Sequence, residues 1–281
     1  MLIKLHFFGL VMFKLGDEKM AVIVTVGTFQ LPGHLSDHSK EGFYYYEHYI
    51  RELEVVDLDL LVCPPDAIRY FKDNEDYLLY HQKLAIRNSW IVAPGFFLRD
   101  QYNTAILISA QGEIIHEQQQ THLSQEELGQ GLKRGNILEV VDTPIGKIGL
   151  MIGTDSFYPV VGRILGLQKV DIVVGYYKQP VPNNPWLQFS GVWQQVQHNQ
   201  FFAVESAVNG MIDGIEFAGK TIIHHPLCRA YDDECIKKLE SGIGGSIYGF
   251  FDGDKRKQGI QEFPIYKHFN CALYEKMWEQ Q

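Results

Sequence analysis

Short runs of β-branched and other apolar residues recur along this chain, separated by longer stretches with an apolar face. Met20 to Thr28 (MAVIVTVGT) is such a run and predicts a strand. Leu58 to Cys63 (LDLLVC) predicts a second strand, stopped by Pro64 and Pro65, which have no N–H to give to a sheet. Trp90 to Ala93, Val170 to Val174 and Phe201 to Ser206 read the same way, with shorter strands near Thr221 to His224 and Gly244 to Phe251. Between them, Glu41 to Leu53 (with a Tyr-rich face), Asp73 to Arg87, Val160 to Gln168 and Phe189 to Asn199 read as helices. Two hairpins are expected. One joins Asn103–Ser109 to Glu113–Gln118 around Ala110-Gln111-Gly112, and the other joins Ile137–Val141 to Lys147–Ile152 around Asp142-Thr143-Pro144-Ile145-Gly146. Strands alternating with helices and hairpins indicate an α/β fold of two layered, mixed sheets with helices outside. Repeats, linkers and low-complexity tracts are absent from the sequence.

Composition narrows this picture. With 281 residues, 46% hydrophobic and 13% aromatic, the chain can bury one large core. Charged residues at 21% argue against bulk disorder. A net charge of -9 argues against phosphate-backbone binding, so no nucleic-acid partner is expected, although a small acidic ligand in a local pocket remains compatible. The four cysteines, Cys63, Cys228, Cys235 and Cys271, form no CxxC pair, so zinc and dithiol chemistry lack support. They read as reduced thiols of a cytoplasmic protein. The apolar stretch Leu5 to Phe13 falls well short of the roughly 20 residues of a membrane span. A signal-peptide reading lacks a small-residue cleavage site and meets acidic Asp17 and Glu18. Residues 1–19 therefore read as an extension, either an added edge strand or the product of an upstream start.

Four ordered stretches carry a family resemblance. Tyr102-Asn103-Thr104-Ala105, followed by Ile106-Leu107-Ile108 and Gly112-Glu113, resembles a "YNTA.LI...GE" hairpin. His122-Leu123 resembles the end of a "K.HL" segment. Asp142 to Pro159 (DTPIGKIGLMIGTDSFYP) is similar to "DTPFGRIGLLICWDLRFPE", and Leu165 to Val173 continues that match. Phe217-Ala218-Gly219-Lys220-Thr221, with Pro226 beyond, resembles "F.GGS.I..P". Pro264-Ile265-Tyr266 and Leu273-Tyr274 fit the same family's last strand and tail. Single hairpins of this kind are common, but their order and spacing over residues 20–276 resemble the nitrilase-like, or carbon–nitrogen hydrolase, superfamily. The resemblance implies a four-layer α-β-β-α sandwich over residues 20–281. It also implies homodimers or higher homo-oligomers, with no cofactor, metal or membrane partner.

That family splits carbon–nitrogen bonds with a Cys nucleophile, a Glu base and a Lys. The thiolate attacks the carbon, the carboxylate moves the proton, and the ammonium holds the developing negative charge. Carried over onto this sequence, the Glu falls on Pro65, the Lys on Gln120 and the Cys on Gly153. A second Glu of the family falls on His198, ahead of Asn199. Glycine cannot be a nucleophile, proline has no proton to exchange, and glutamine brings no charge. Losing one member of such a unit can cost about a millionfold in rate, after which further losses cost little. All three substitutions together fit an abandoned mechanism.

Substitutes are few. Cys63 lies two residues before Pro65 and reads as a small buried hydrophobe. Asp66 sits one residue off the Glu position and would face the other way on a strand. Thr154 follows the nucleophile position but has no base in sequence, and Asp155 matches a family Asp that shapes the turn. His122 and His198 are pocket candidates, though a lone His is more often structural. His224-His225 are neighbours on a strand and point to opposite faces, which argues against a metal pair. Tyr176-Tyr177-Lys178 follow a strand where the family lines its pocket. They would either bind a small anionic or aromatic ligand or pack at the mouth with Lys178 solvated. Three functions compete: a non-catalytic protein keeping the fold and a ligand pocket, as sensor, scaffold or partner subunit; a hydrolase using Thr154, His198 and Asp66; and an assembly protein that dimerises through the helix from Val160.

Overall fold

The computed structural model describes residues 20, 23–35, 40–65, 67–182, 184–212, 214–227 and 236–278. The expected extension 1–19, together with Asp66, Cys228 and Cys235, lies outside the described residues.

The first half of the chain builds one sheet and its helices. In order come β1 (Ile23–Gln30), α1 (Lys40–Leu53), β2 (Leu60–Val62), α2 (Asn74–Asn88), β3 (Ile91–Ala93), β4 (Phe96–Arg99), β5 (Tyr102–Ile108) and β6 (Ile114–Gln119). After the short α3 (Gln125–Gly129), the second sheet begins with β7 (Val140–Thr143) and β8 (Gly146–Ile152), then α4 (Pro159–Leu167) and β9 (Ile172–Tyr177). There follow α5 (Pro185–Gln188), α6 (Gln194–Asn199), β10 (Phe202–Ala207), the hairpin β11 (Asn209–Ile212) and β12 (Ile215–Ala218), β13 (Ile222–His224) and β14 (Ile236–Lys238). The chain then returns to the first sheet as β15 (Gly245–Asp252), ending in α7 (Gly253–Glu262) and α8 (Cys271–Trp278).

The first sheet has the order β15-β1-β2-β3-β5-β4, with β6 also on β5, and the second runs β14-β13-β10-β9-β8-β7. Both are mixed. β1-β2-β3 and β8-β9-β10 are parallel, and the outer pairs are antiparallel. Parallel strands buried on both faces demand continuous apolar runs, which LLV in β2 and IVVGYY in β9 supply.

Alternation of side chains along each strand divides the core into three parts. Val24, Val26, Leu60 and Val62 of the first sheet meet Leu150, Ile152, Val174 and Val204 of the second. On the outer face of the first sheet, Phe29, Leu61 and Cys63 pack under Tyr46, Ile50 and Leu84 of α1 and α2. On the outer face of the second, Met151, Val173 and Ala203 pack under Val161, Leu165 and Val196 of α4 and α6. The four-layer arrangement expected from the resemblance is the one observed.

Helix ends follow local chemistry. Asp73 caps α2 by accepting from the Asp76 N–H at 2.9 Å, and Ser89 closes it in the left-handed region. The expected helix Phe189–Asn199 is instead broken at Gly191, whose ψ of -116° leaves the helical region. β9 runs on to Tyr177, past the expected end at Val174, because Tyr176 and Tyr177 pair with Ser206 and Ala207.

Candidate functional site

The three substituted positions all follow C-terminal strand ends: Pro65 after β2, Gln120 after β6 and Gly153 after β8. This rim is where parallel strands deliver their loops. Gly153 opens a 3-10 turn, Gly153–Phe157, with φ of +53°. That left-handed conformation suits glycine and is strained for any residue with a Cβ. A Cβ built there would stand 3.2 Å from Nε2 of Gln120. Gln120 and Gly153 are therefore neighbours, as the motif alignment expects.

Asp155 ties the two strand ends together. Its carboxylate is fully buried and accepts from the N–H groups of Thr121 at 3.0 Å, His122 at 2.8 Å and Ile152 at 3.2 Å, and from the Thr121 hydroxyl at 2.8 Å. A buried carboxylate needs such donors. These bonds tie the turn after β8 to the end of β6.

The Gln120 amide occupies the space in front of Gly153. Its Oε1 accepts from Asn103 Nδ2 at 2.7 Å. Its Nε2 faces the His122 carbonyl at 2.8 Å, Thr154 Oγ1 at 3.0 Å and Glu127 Oε2 at 3.2 Å. Thr154 in turn donates to the His122 carbonyl, so its hydroxyl is engaged on both sides. Glu127 also accepts from Asn103 Nδ2 at 3.1 Å and from the Ser124 N–H at 2.7 Å.

Pro65 joins this rim through Phe96. Its carbonyl accepts the Phe96 N–H at 2.9 Å, and the Phe96 ring lies 6.0 Å from that of Tyr176. Tyr176 is the sheet partner of Ile152, the residue before Gly153. Gly95 makes the approach feasible. Its φ is +137°, and a Cβ there would fall 2.7 Å from the Pro65 carbonyl oxygen.

A family model described as Carbon-nitrogen hydrolase matches residues 51–231. The chain belongs to the carbon–nitrogen hydrolase family. Its fold is similar to that of a carbon–nitrogen hydrolase from Helicobacter pylori, with a TM-score of 0.74 at 16% identity over 91% of this chain and 98% of that one. It is also similar to Saccharomyces cerevisiae Nit3, a member of branch 10 of the nitrilase superfamily, with a TM-score of 0.71 at 18% identity over 90% and 99% of the two chains. The C. elegans NitFhit protein gives 0.73 at 16% identity, over 91% of this chain and 67% of that one. At these identities the likeness speaks for the nitrilase-like fold alone. No curated protein sequence matches the chain significantly.

Within this family frame the remaining candidates separate. Tyr176 points between the sheets, whereas Tyr177 turns to the opposite face, against Phe157 and the backbone of Gly219. Strand alternation puts the two tyrosines on opposite faces of the sheet. Lys178 returns to the Tyr176 side, its Nζ 6.0 Å from the Phe96 ring centre and 5.5 Å from that of Phe217. The His122 carbonyl belongs to the Gln120 corner, but its ring stacks on Tyr158 at 4.0 Å. His198 is exposed on α6, and its carbonyl takes a bond from Arg163. Its helix turns that side to solvent while Val196 and Asn199 face inward. His224 and His225 do diverge: His224 bonds to Glu205 at 2.7 Å, and His225 packs on Phe202 and Phe251. Among the described residues no cluster fit to hold a metal ion is found.

Cys63 faces the helix layer rather than the rim. Burial pushes its thiol up to about 12, so thiolate is scarce. Sequence reasoning missed Glu127, the carboxylate nearest the Gln120 amide. The signal was present as Ser124-x-x-Glu127, a capping box realised by the Glu127 N–H to Ser124 Oγ bond of 3.1 Å.

Proposed function

We propose that this chain is a non-catalytic carbon–nitrogen hydrolase homologue that keeps the fold and uses the cleft for binding. The observation that carries the reading is the Gly153 corner. Where the family resemblance calls for a thiol there is a left-handed glycine, and the Gln120 amide stands where that side chain would project. Gln120 brings no charge to stabilise a tetrahedral intermediate, and Pro65 offers only a carbonyl that is already bonded.

The competing reading, a hydrolase with replacement groups, has one observation in its favour, the Glu127 carboxylate beside Gln120. Its difficulty is the nucleophile. The Thr154 hydroxyl donates to the His122 carbonyl and accepts from Gln120, so attack would first break both bonds. Ammonia release from a panel of short amides and nitriles tests the two readings. No release above buffer is expected. Release that disappears in Glu127→Gln or Thr154→Ala would establish the hydrolase instead.

The reading extends to a partner-subunit role. Val160 and Ile164 on α4, with Tyr158 before it, leave an exposed apolar strip that suits self-association. Sedimentation of the purified chain should show a dimer or larger assembly, shifted toward monomer by Ile164→Glu. Free Cys63 and Cys271 fit a reducing, cytoplasmic setting. Among the described residues no helix is long and apolar enough to cross a membrane.

A further inference from the structure

Helices α1 and α2 bury a dense aromatic cluster on the first sheet, away from the Gly153 corner. Within it the Tyr46 hydroxyl lies 2.6 Å from Nε2 of His81, and both residues are fully buried. The other ring nitrogen fixes the direction of that bond. His81 Nδ1 is 2.7 Å from the Tyr77 carbonyl, which can only accept, so Nδ1 carries a proton. Burial pushes the imidazolium down to about 4, so the ring is neutral and Nε2 offers a lone pair. Tyr46 therefore donates to a base. A buried phenol calls for an acceptor, but a carbonyl or amide oxygen would serve. Imidazole is an acceptor that can also take the proton.

A second phenol–base pair stands next to the first. The Tyr80 hydroxyl donates to Glu47 Oε1 at 2.6 Å, and the Tyr80 ring lies 6.2 Å from that of Tyr46. Tyr80 is half-buried, and Arg51 holds the other Glu47 oxygen at 2.8 Å, which makes that carboxylate a weaker base. The two phenols thus differ in exposure. Tyr80 reaches toward water, and Tyr46 is sealed in with its base. An electron crosses packed rings at such distances without any entry path. Burial therefore leaves Tyr46 open to oxidation while shielding the oxidised side chain from other molecules.

From this geometry we propose that the chain quenches diffusible oxygen-centred radicals at a redox-active Tyr46, with Tyr80 as the outer station and His81 as the proton acceptor. A peroxyl radical takes one electron from Tyr80 and one proton from solvent, and becomes a hydroperoxide. Tyr80 lends its proton to Glu47 and recovers it when Tyr46 supplies the replacement electron. As that electron leaves, the Tyr46 O–H bond breaks and an N–H bond forms on His81 Nε2. A neutral tyrosyl radical and an imidazolium result. A phenol radical cation is a far stronger acid than an imidazolium, so His81 keeps the proton. An external one-electron reductant of the ascorbate class later returns the electron, and His81 returns the proton.

The test oxidises the full-length protein with photogenerated ruthenium(III) tris-bipyridine and, separately, with peroxyl radicals from a water-soluble azo initiator. Electron paramagnetic resonance and transient absorption follow the tyrosyl radical. The chain has 15 tyrosines, so lifetime is the readout and not the mere presence of a signal. A persistent radical is expected with both oxidants, formed more slowly in D2O because a proton moves with the electron. Tyr46→Phe and His81→Gln should each shorten the lifetime at least about tenfold, the equivalent of one lost charge-assisted bond. Tyr80→Phe should slow formation and leave the lifetime unchanged, and Tyr44→Phe, at an exposed tyrosine, should change neither. Circular dichroism confirms that the variants fold, and the D2O comparison on the native chain needs no variant. A native radical that decays as fast as that of Tyr46→Phe would overturn the proposal, as would formation at equal rates in D2O and water. So would the absence of a persistent radical with peroxyl. The Cys63 thiol lies beside the same phenol. A radical that persists only in Cys63→Ala would make sulfur the terminus and equally overturn the assignment to Tyr46.

Discussion

At the corner between β6 and β8, the Gln120 amide, the Thr154 hydroxyl and the carboxylates of Glu127 and Asp155 bond to one another or to backbone. On the inward faces of β1, β9 and β10, the hydroxyls of Thr28, Tyr176 and Ser206 are buried without a partner among the described residues, and Lys178 has aromatic rings but, among those residues, no carboxylate beside it. The first region is internally complete. The second carries polar groups at a cost to stability, because a buried donor without an acceptor loses its bond to water and gains nothing. The contrast separates polar groups that serve the fold from polar groups the fold leaves unused. The Gln120 corner is closed by its own hydrogen bonds, and the unsatisfied groups lie on other strands.

The largest effect that could break this comparison is catalytic. Gly153→Cys alone should release no ammonia from amides above buffer, because a base and an ammonium are still missing and such a unit can be worth about a millionfold. The same variant should fold less stably by about 1–2 kcal/mol, since a side chain at φ of +53° is strained and meets Gln120. Turnover by the single variant would reopen the corner as a catalytic site.

Acid should act outside both regions, at His81 and His225, each of which burial pushes down to about 4. Their folded values lie below the unfolded value near 6.5. Both are therefore neutral and fully compatible with the fold above about pH 6.5, and their contribution is lost as pH falls from there toward 4. The loss is on the order of 3 kcal/mol for each. His81→Gln, which keeps a side chain able to bond to Tyr46 and the Tyr77 carbonyl, should flatten its share of the denaturant-melt profile between pH 4 and 6.5. An unchanged pH slope would refute this assignment.

Stability separates the two regions directly. Gln120→Leu leaves the Asn103 amide, Thr154 and the Glu127 carboxylate short of a partner and should cost about 2–3 kcal/mol in urea melts. Ser206→Ala and Thr28→Val remove unsatisfied hydroxyls and should be neutral or stabilising, within about 0.5 kcal/mol. Equal destabilisation at both ends would erase the distinction. The smallest effect concerns Cys63. Iodoacetamide should leave it unmodified in the native chain at neutral pH, because its thiol is buried and pushed up to about 12.

Much of the corner was legible before any coordinates. The order of the motifs grouped Gln120 with Gly153, and the two are neighbours in the structure, while Asp155, read as a turn-shaping carboxylate, accepts four bonds there. Other positions were not legible. Counting along the helix put His198 at a family site, yet the break at Gly191 and the packing of Val196 leave it in solvent. Tyr177 was grouped with Tyr176 until the extension of β9 imposed alternation on them. Glu127 was hidden because a capping-box signature announces a helix start and not the side chain its carboxylate will reach.

The sequence by itself determined the family and the two mixed sheets. Those follow from local periodicity, turn chemistry and the identity of residues at known motif positions. Only the tertiary structure decided that the Gln120 amide stands against Gly153, and that the hydroxyls of Thr28, Tyr176 and Ser206 are buried without a partner among the described residues. Contact between strands distant in sequence creates both facts. Whether a polar group is satisfied depends on what the other sheet sets beside it, and no window along the chain contains that neighbour.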